Sequence, residues 1–201
     1  PLVSARSYRR IIRANERLRV GIIGCGGMAG SHLGALLGMS EDVEIGAVCD
    51  VFDTRARNFQ DTIWRTGGNA QRYHDYREML DKEPLDYVLI STPEHWHARQ
   101  ALDAMDAGVH VYCEKPMTHH VDEAVAVVEK ARSTGLKLQV GVQGMSDDSY
   151  ESAYEAIKAG KLGPVVEAQI DYVRHYPLSR GPWRTGVDPD MPKPDDLDWE
   201  T

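Results

Sequence analysis

Short apolar runs alternate with amphipathic helical patterns along most of this 201-residue chain. The strand-like runs are RVGIIG (19–24), VEIGAVCD (43–50), AQRYHDY (70–76), DYVLIST (86–92), VHVYCE (109–114) and LKLQVGVQ (136–143). Between them, apolar residues recur every three or four positions, which predicts helices. Strand–helix units joined by short links build a parallel sheet with helices on both faces. The sequence therefore predicts a doubly wound parallel α/β domain over residues 18–145.

The pattern changes after residue 164. Over residues 165–176 apolar and polar side chains alternate, which predicts a half-buried strand of an antiparallel or mixed sheet. One such strand cannot bury its apolar face alone. We therefore expect residues 146–201 to hold a linking helix (149–159) and the beginning of an α+β second domain that the chain does not complete. An open strand edge further predicts a homo-oligomer or a partner chain at this second sheet.

Charge and cysteine content exclude several classes of protein. The net charge of −8 argues against a nucleic-acid-binding surface, although residues 1–17 form a basic N-terminal arm. The sequence contains no run of about 18 apolar residues, so no membrane span is predicted. The three cysteines lack CxxC spacing, so we expect neither a disulfide framework nor a zinc site.

The stretch GCGGMAG follows the first strand and opens the first helix. In this context Gly24 permits a tight turn, Gly26 lets a pyrophosphate approach the backbone, and Ala29 lets helix and strand pack closely. The first helical turn, with Gly27 and Met28, offers N–H groups to phosphate oxygens. The pattern predicts a Rossmann-type dinucleotide site, with a ligand-free tight turn as the alternative.

Asp50 ends the second strand. A carboxylate there can accept hydrogen bonds from the adenosine ribose hydroxyls, which favours NAD. Arg55 is close in sequence and could accept a 2′-phosphate, so NADP is also possible. The alternative role for Asp50 is a helix N-cap, although Asp53 fits that role better.

The stretch STPEHWHA (91–98) ends another strand. Thr92 and Pro93 lie where open α/β sheets bind ligands, at the carboxyl ends of the strands. His95 and His97 diverge in direction at a helix start and have no third ligand in register, so no metal site is predicted. We expect His97 to contact cofactor or substrate, with a helix-capping histidine as the alternative.

The stretch VYCEKPMTHH (111–120) places an acid, a base and a proline at a further strand end. We expect Lys115 to lie beside a nicotinamide and to act as a general acid or base. Glu114 would be its partner or a ribose contact, and Pro116 is a candidate for a cis peptide. The alternative is a surface ion pair at a turn. His119 and His120 are expected to be solvated.

The segments VGIIGCGGMAG, STPEHWHARQALDAMDAGVHVYCEKPM and VGVQ resemble the N-terminal half of the Gfo/Idh/MocA family over about residues 18–176. The resemblance implies an NAD(P)-dependent oxidoreductase that transfers a hydride at a carbinol carbon of a sugar or polyol. It implies Lys115 and His97 as catalytic residues, and a further catalytic group in the second domain, beyond this chain. The cofactor contacts it implies are Gly24, Gly26, Asp50, Thr92, Pro93, His97, Glu114, Lys115 and Gln143.

PxHWHA and YCEKP together resemble a subgroup of exported members, which includes NAD-dependent glycosidases that oxidise, eliminate and re-reduce a sugar. SARSYRRI resembles the segment after a twin-arginine signal, so a periplasmic or exported protein is expected, with a cytoplasmic one as the alternative. The GMSDD that follows VGVQ departs from the arginines common there and leaves the local substrate contact unassigned. Two alternative functions are a redox glycosidase that retains NAD and a non-catalytic dinucleotide-binding fragment that needs a partner chain.

Overall fold

The computed structural model describes residues 17–145, 147–171, 173 and 194–198. The strands are β1 (Leu18–Ile23), β2 (Val43–Cys49), β3 (Gln71–Tyr73), β4 (Tyr87–Ile90), β5 (His110–Glu114) and β6 (Leu138–Gly141). They form one sheet in the order β3-β2-β1-β4-β5-β6, with every neighbouring pair parallel. The predicted doubly wound sheet is confirmed. Its strand order reverses direction between β1 and β4, which is where such sheets bind ligands.

Among the described residues, six helices accompany the strands: α1 (Gly27–Gly38), α2 (Asp53–Arg65), α3 (Tyr76–Lys82), α4 (Glu94–Asp106), α5 (Val121–Thr134) and α6 (Asp148–Lys158). Local sequence sets several of their ends. The Asp75 side chain accepts a hydrogen bond from Arg77 N at 2.8 Å and caps α3. Gly135 follows α5 in the left-handed conformation that favours glycine.

The central strands β1, β2 and β4 are mostly apolar because both faces of the sheet are covered there. Successive residues of β1 face opposite sides. Ile22 packs in a core with Ala29 and Leu33 of α1, whereas Ile23 packs in a core with Met79 and Met105. Burial on both faces therefore explains why these strands could be predicted from continuous apolar runs in the sequence.

The chain forms two units, Gln143–Asp195 and the remainder. The predicted strand over residues 165–176 is wrong where it can be compared, because residues 165–171 and 173 form no strand. A strand requires a neighbour to bond its N–H and C=O groups, and alternation alone does not supply one. The rest of this predicted strand, residues 172 and 174–176, lies outside the described residues. The same holds for residues 1–16 of the basic N-terminal arm. No helix among the described residues has the length and apolar character to cross a bilayer.

Candidate functional site

The turn after β1 requires glycine. Gly24 has a φ of +88°, in the region that glycine favours. A Cβ added to Gly24 would lie 2.8 Å from the Ser91 carbonyl carbon and 2.8 Å from the Thr92 nitrogen. The turns that follow β1 and β4 therefore lie too close together, at the reversal point of the sheet, to admit a side chain at residue 24.

The N-terminus of α1 begins immediately after this turn. Gly26 is its N-cap residue without a side-chain hydrogen bond, and the first turn carries no acidic residue. A Cβ added to Gly26 or Gly27 would meet nothing within 4 Å, whereas Ala29 is fully buried against the sheet. Met28, in the same turn, is 40% exposed. An open glycine backbone at a helix N-terminus fits a pyrophosphate, because it combines N–H donors with the positive end of the helix dipole.

Asp50 follows β2 at the same edge and ties two loops together. Its Oδ2 accepts a hydrogen bond from Cys25 N at 2.6 Å, within the Gly-rich turn. Its Oδ1 accepts from Phe52 N at 2.8 Å, in the loop that leads into α2. The carboxylate thus lies beside the turn that would hold the pyrophosphate, where an acid can also bind ribose hydroxyls.

The start of α2 differs from the sequence-based interpretation. Its N-cap is Phe52, so neither Asp50 nor Asp53 occupies that position. The Asp53 carboxylate instead pairs with Arg57 at 2.6 Å and with Arg72 at 2.7 Å. The Arg55 guanidinium lies 5.3 Å from the centre of the Phe52 ring, in a cation–π contact.

His97 joins the loops that follow β4 and β5. The ring is 1% exposed, with Nε2 at 2.8 Å from the Thr92 carbonyl oxygen and Nδ1 at 2.7 Å from the Pro116 carbonyl oxygen. Because carbonyl oxygens only accept, a ring nitrogen that carries a proton donates to the oxygen it faces, and which nitrogen does so depends on the tautomer. Thr92 Oγ1 donates to Gln100 Oε1 at 2.6 Å, while His95 is exposed. Direct contact of His97 with cofactor or substrate stays a prediction.

Glu114 is 5% exposed at the end of β5. Its Oε1 lies 2.7 Å from His32 Nε2, and its Oε2 accepts from Lys115 N at 3.2 Å. The His32 ring packs edge-on against Tyr112 at 5.3 Å. A Cβ at Gly141 would lie 2.9 Å from Glu114 Oε1, so glycine there leaves room for the carboxylate. The contact between His32 and Glu114 therefore links α1 to the end of β5.

Sequence reasoning missed His32, because a histidine on a helix is usually solvated. The available signal was its position in the second turn of a helix that starts at the Gly-rich turn. That placement puts a polar ring near the edge of the sheet where the other polar residues converge.

Lys115 is exposed, and within the part of the chain that the structure describes its ammonium makes no ion pair. The Lys115–Pro116 peptide is cis, which confirms that prediction. Glu114 contacts His32 instead of the lysine ammonium, so the alternative interpretation, a surface ion pair between Glu114 and Lys115, is not what the structure shows. Pro93 is exposed at the start of α4, and Gln143 is exposed in the second unit.

His119 and His120 are exposed, as expected, and His120 takes part in a capping box with Glu123 at the start of α5. No group of three or more histidine, cysteine, aspartate or glutamate side chains able to hold a metal occurs among the described residues.

The three cysteines are buried and free. Burial is the largest cause that raises the pKa of Cys25 and of Cys49, and the nearby Asp50 carboxylate raises both further. Burial and Glu114 raise the pKa of the Cys113 thiol to about 12. All three thiols are therefore protonated at neutral pH and unsuited to nucleophilic chemistry.

A parallel sheet of this strand order, with a Gly-rich turn after β1 and an acid after β2, defines a Rossmann-type dinucleotide-binding domain. The chain belongs to the Gfo/Idh/MocA oxidoreductase family, whose NAD-binding Rossmann fold matches residues 18–142. This confirms the family that the sequence motifs resemble, and with it NAD as the cofactor of the domain.

Proteins of known activity are similar over most of this chain. An inositol 2-dehydrogenase of Salmonella paratyphi B is 29% identical over 82% of the chain and 48% of its own length. An α-N-acetylgalactosaminidase of Shewanella oneidensis is 27% identical over 85% of the chain and 39% of its own length. The WlbA dehydrogenase of Bordetella pertussis, solved with NADH and UDP-GlcNAcA, is 26% identical with a TM-score of 0.67, over 74% of this chain and 44% of that one. The chain thus spans half or less of the length of these relatives.

Proposed function

We propose that this chain supplies the NAD-binding half of an enzyme that oxidises a sugar or polyol at a carbinol carbon. The observation that carries the proposal is the exposed Lys115 amine at the carboxyl end of β5, near the reversal point of the sheet. An inositol 2-dehydrogenase relative and a dehydrogenase solved in complex with a sugar nucleotide support the substrate class.

The nicotinamide of bound NAD supplies the acceptor for the hydride that leaves the carbinol carbon. Lys115 takes the hydroxyl proton while the C=O bond forms, and it returns that proton in the reverse direction. Glu114 bonds the Lys115 N–H and so orients the backbone from which the amine extends. Asp50 lies where the adenosine ribose of the cofactor would bind.

The test, made in the complete enzyme, is Lys115→Met, with Lys137→Met as the matched control, since Lys137 is also exposed but precedes β6 at the opposite edge of the sheet. Loss of the proton acceptor should lower NADH formation from inositol or sugar substrates by about 10²–10⁴-fold. The affinity for NADH should stay within a few-fold, because the proposed role is proton transfer. Near-parental turnover in Lys115→Met would remove the catalytic assignment.

A redox-neutral glycosidase is the second candidate, and the similarity to the Shewanella α-N-acetylgalactosaminidase favours it. There Lys115 would take the hydroxyl proton while NAD accepts the hydride, which leaves a transient ketone. Loss of the acidified neighbouring C–H proton would then expel the glycosidic oxygen and form an enone, and water would add to it before NADH returns the hydride to the ketone. Isotope-labelled NAD distinguishes the two. Release of stoichiometric NADH indicates net oxidation, whereas sugar release with no exchange of the bound cofactor indicates the glycosidase.

A further inference from the structure

The segment 196–198, which we call the return segment, docks beside the loop that joins β2 to α2. Leu197 forms an antiparallel bridge with Phe52. Asp198 N donates to the Val51 carbonyl oxygen at 3.1 Å, and Asp198 Oδ2 lies 3.0 Å from His74 Nε2. The segment therefore lies beside Asp50, the residue expected to bind the adenosine ribose.

Asp196 of the return segment occupies the N-terminus of α2. Its carbonyl oxygen accepts from Asp53 N at 3.1 Å, and its Oδ2 accepts from Thr54 N at 3.0 Å. Thr54 Oγ1 donates to the same carboxylate oxygen. A residue distant in sequence thus satisfies N–H groups that a helix N-terminus otherwise leaves open.

These contacts leave few free N–H groups at this turn for the 2′-phosphate of NADP to bind. A 2′-phosphate on a ribose at Asp50 would accept hydrogen bonds from the N–H groups at the start of α2. Phe52 N already donates to Asp50, while Asp53 N and Thr54 N already donate to Asp196. The three N–H groups that could bind the phosphate therefore already donate hydrogen bonds within the chain.

The charges at the turn act in the same direction. The hydrogen bond from the Thr54 side chain holds the pKa of the Asp196 carboxyl below its ordinary value, so the group is ionised at neutral pH. Arg57 and Arg72 are engaged by Asp53. Arg55, stacked on Phe52, is the competing attraction for a phosphate at this turn.

We propose that Asp196 is a determinant of cofactor specificity, which excludes NADP by placing a carboxylate on the N–H groups that a 2′-phosphate would use. This device is separate from Asp50, because it disfavours the phosphate without contacting the ribose hydroxyls. The inference rests on the proposed binding of the adenosine ribose at Asp50.

The test is fluorescence titration of the full chain with NADH and NADPH. Asp196→Asn removes the charge and keeps an acceptor oxygen. Asp42→Asn is the matched control, since Asp42 is exposed and precedes β2 at the opposite edge of the sheet. Removal of the repulsion should lower the Kd for NADPH by about tenfold and change the Kd for NADH by less than about twofold. The control variant should change neither constant.

Equal changes in both constants, or no change for NADPH, would overturn the inference about Asp196 while leaving NAD binding intact. A parent chain that binds neither dinucleotide would overturn the proposed function as well. The Asp50→Ala background provides a further arm. The NADPH gain should persist there if Asp196 acts separately, and its disappearance would show that the two carboxylates act as one device.

Discussion

His97→Leu should destabilise the folded chain strongly, although it replaces one ring by an apolar side chain of similar size. The 1% exposed ring contacts the carbonyl oxygens of Thr92 and Pro116. Leucine cannot donate a hydrogen bond to either oxygen. Each buried acceptor left without a donor costs about 1–3 kcal/mol.

Loss of the imidazole N–H donor gives an expected loss of about 1–3 kcal/mol in the free energy of unfolding. That is a large share of the roughly 5–15 kcal/mol that holds a typical domain folded. Equilibrium urea unfolding followed by far-UV circular dichroism measures it, with the loss visible as a lower midpoint at an unchanged slope.

His95→Leu is the matched control, because His95 lies two residues earlier on the same helix and is exposed. It should change stability by no more than about 0.5 kcal/mol. If His97→Leu also stayed within that range, the two carbonyl contacts would not be structural. His97 would then be better explained as a residue that acts on the ligand alone.

Two further predictions concern the carboxylate after β2 and the thiols. Asp50→Ala should raise the Kd for NADH by an amount worth about 1–3 kcal/mol and raise the Kd for NADPH less, as measured by fluorescence titration; an equal rise for both would exclude the ribose contact. Burial raises the pKa of Cys25, Cys49 and Cys113. Iodoacetamide at pH 8 should therefore label the folded chain far more slowly than the urea-unfolded chain, as measured by mass spectrometry. Rapid labelling of the folded chain would show that these thiols are accessible.

The sheet could be predicted from sequence because strands buried on both faces are apolar throughout, as Val20 and Val88 illustrate. The edge of the site could be predicted for a related reason, since the carboxyl ends of parallel strands converge. That rule brought Asp50 and Lys115 to the same edge of the sheet, although their individual roles remain predictions.

Contacts between distant residues could not be predicted in the same way. His32 and Glu114 are 82 residues apart, and Thr54 and Asp196 are 142 apart. No local pattern marks such pairs, because helix placement on the sheet creates them. The strand expected over residues 165–176 failed for the opposite reason, since its local pattern was present without a neighbouring strand.

The distance in sequence between Thr54 and Asp196 has a consequence for biosynthesis. A ribosome adds about 5–20 residues per second, so the 142 residues between them take about 7–28 s to translate. During that interval β1, the Gly-rich turn and α2 have all left the ribosome, while the carboxylate that closes the start of α2 does not yet exist. A nascent chain would therefore meet cellular dinucleotides with the N–H groups of Asp53 and Thr54 still open. The share of discrimination against the 2′-phosphate that we propose for Asp196 would arise only after all six strands of the sheet had been synthesised.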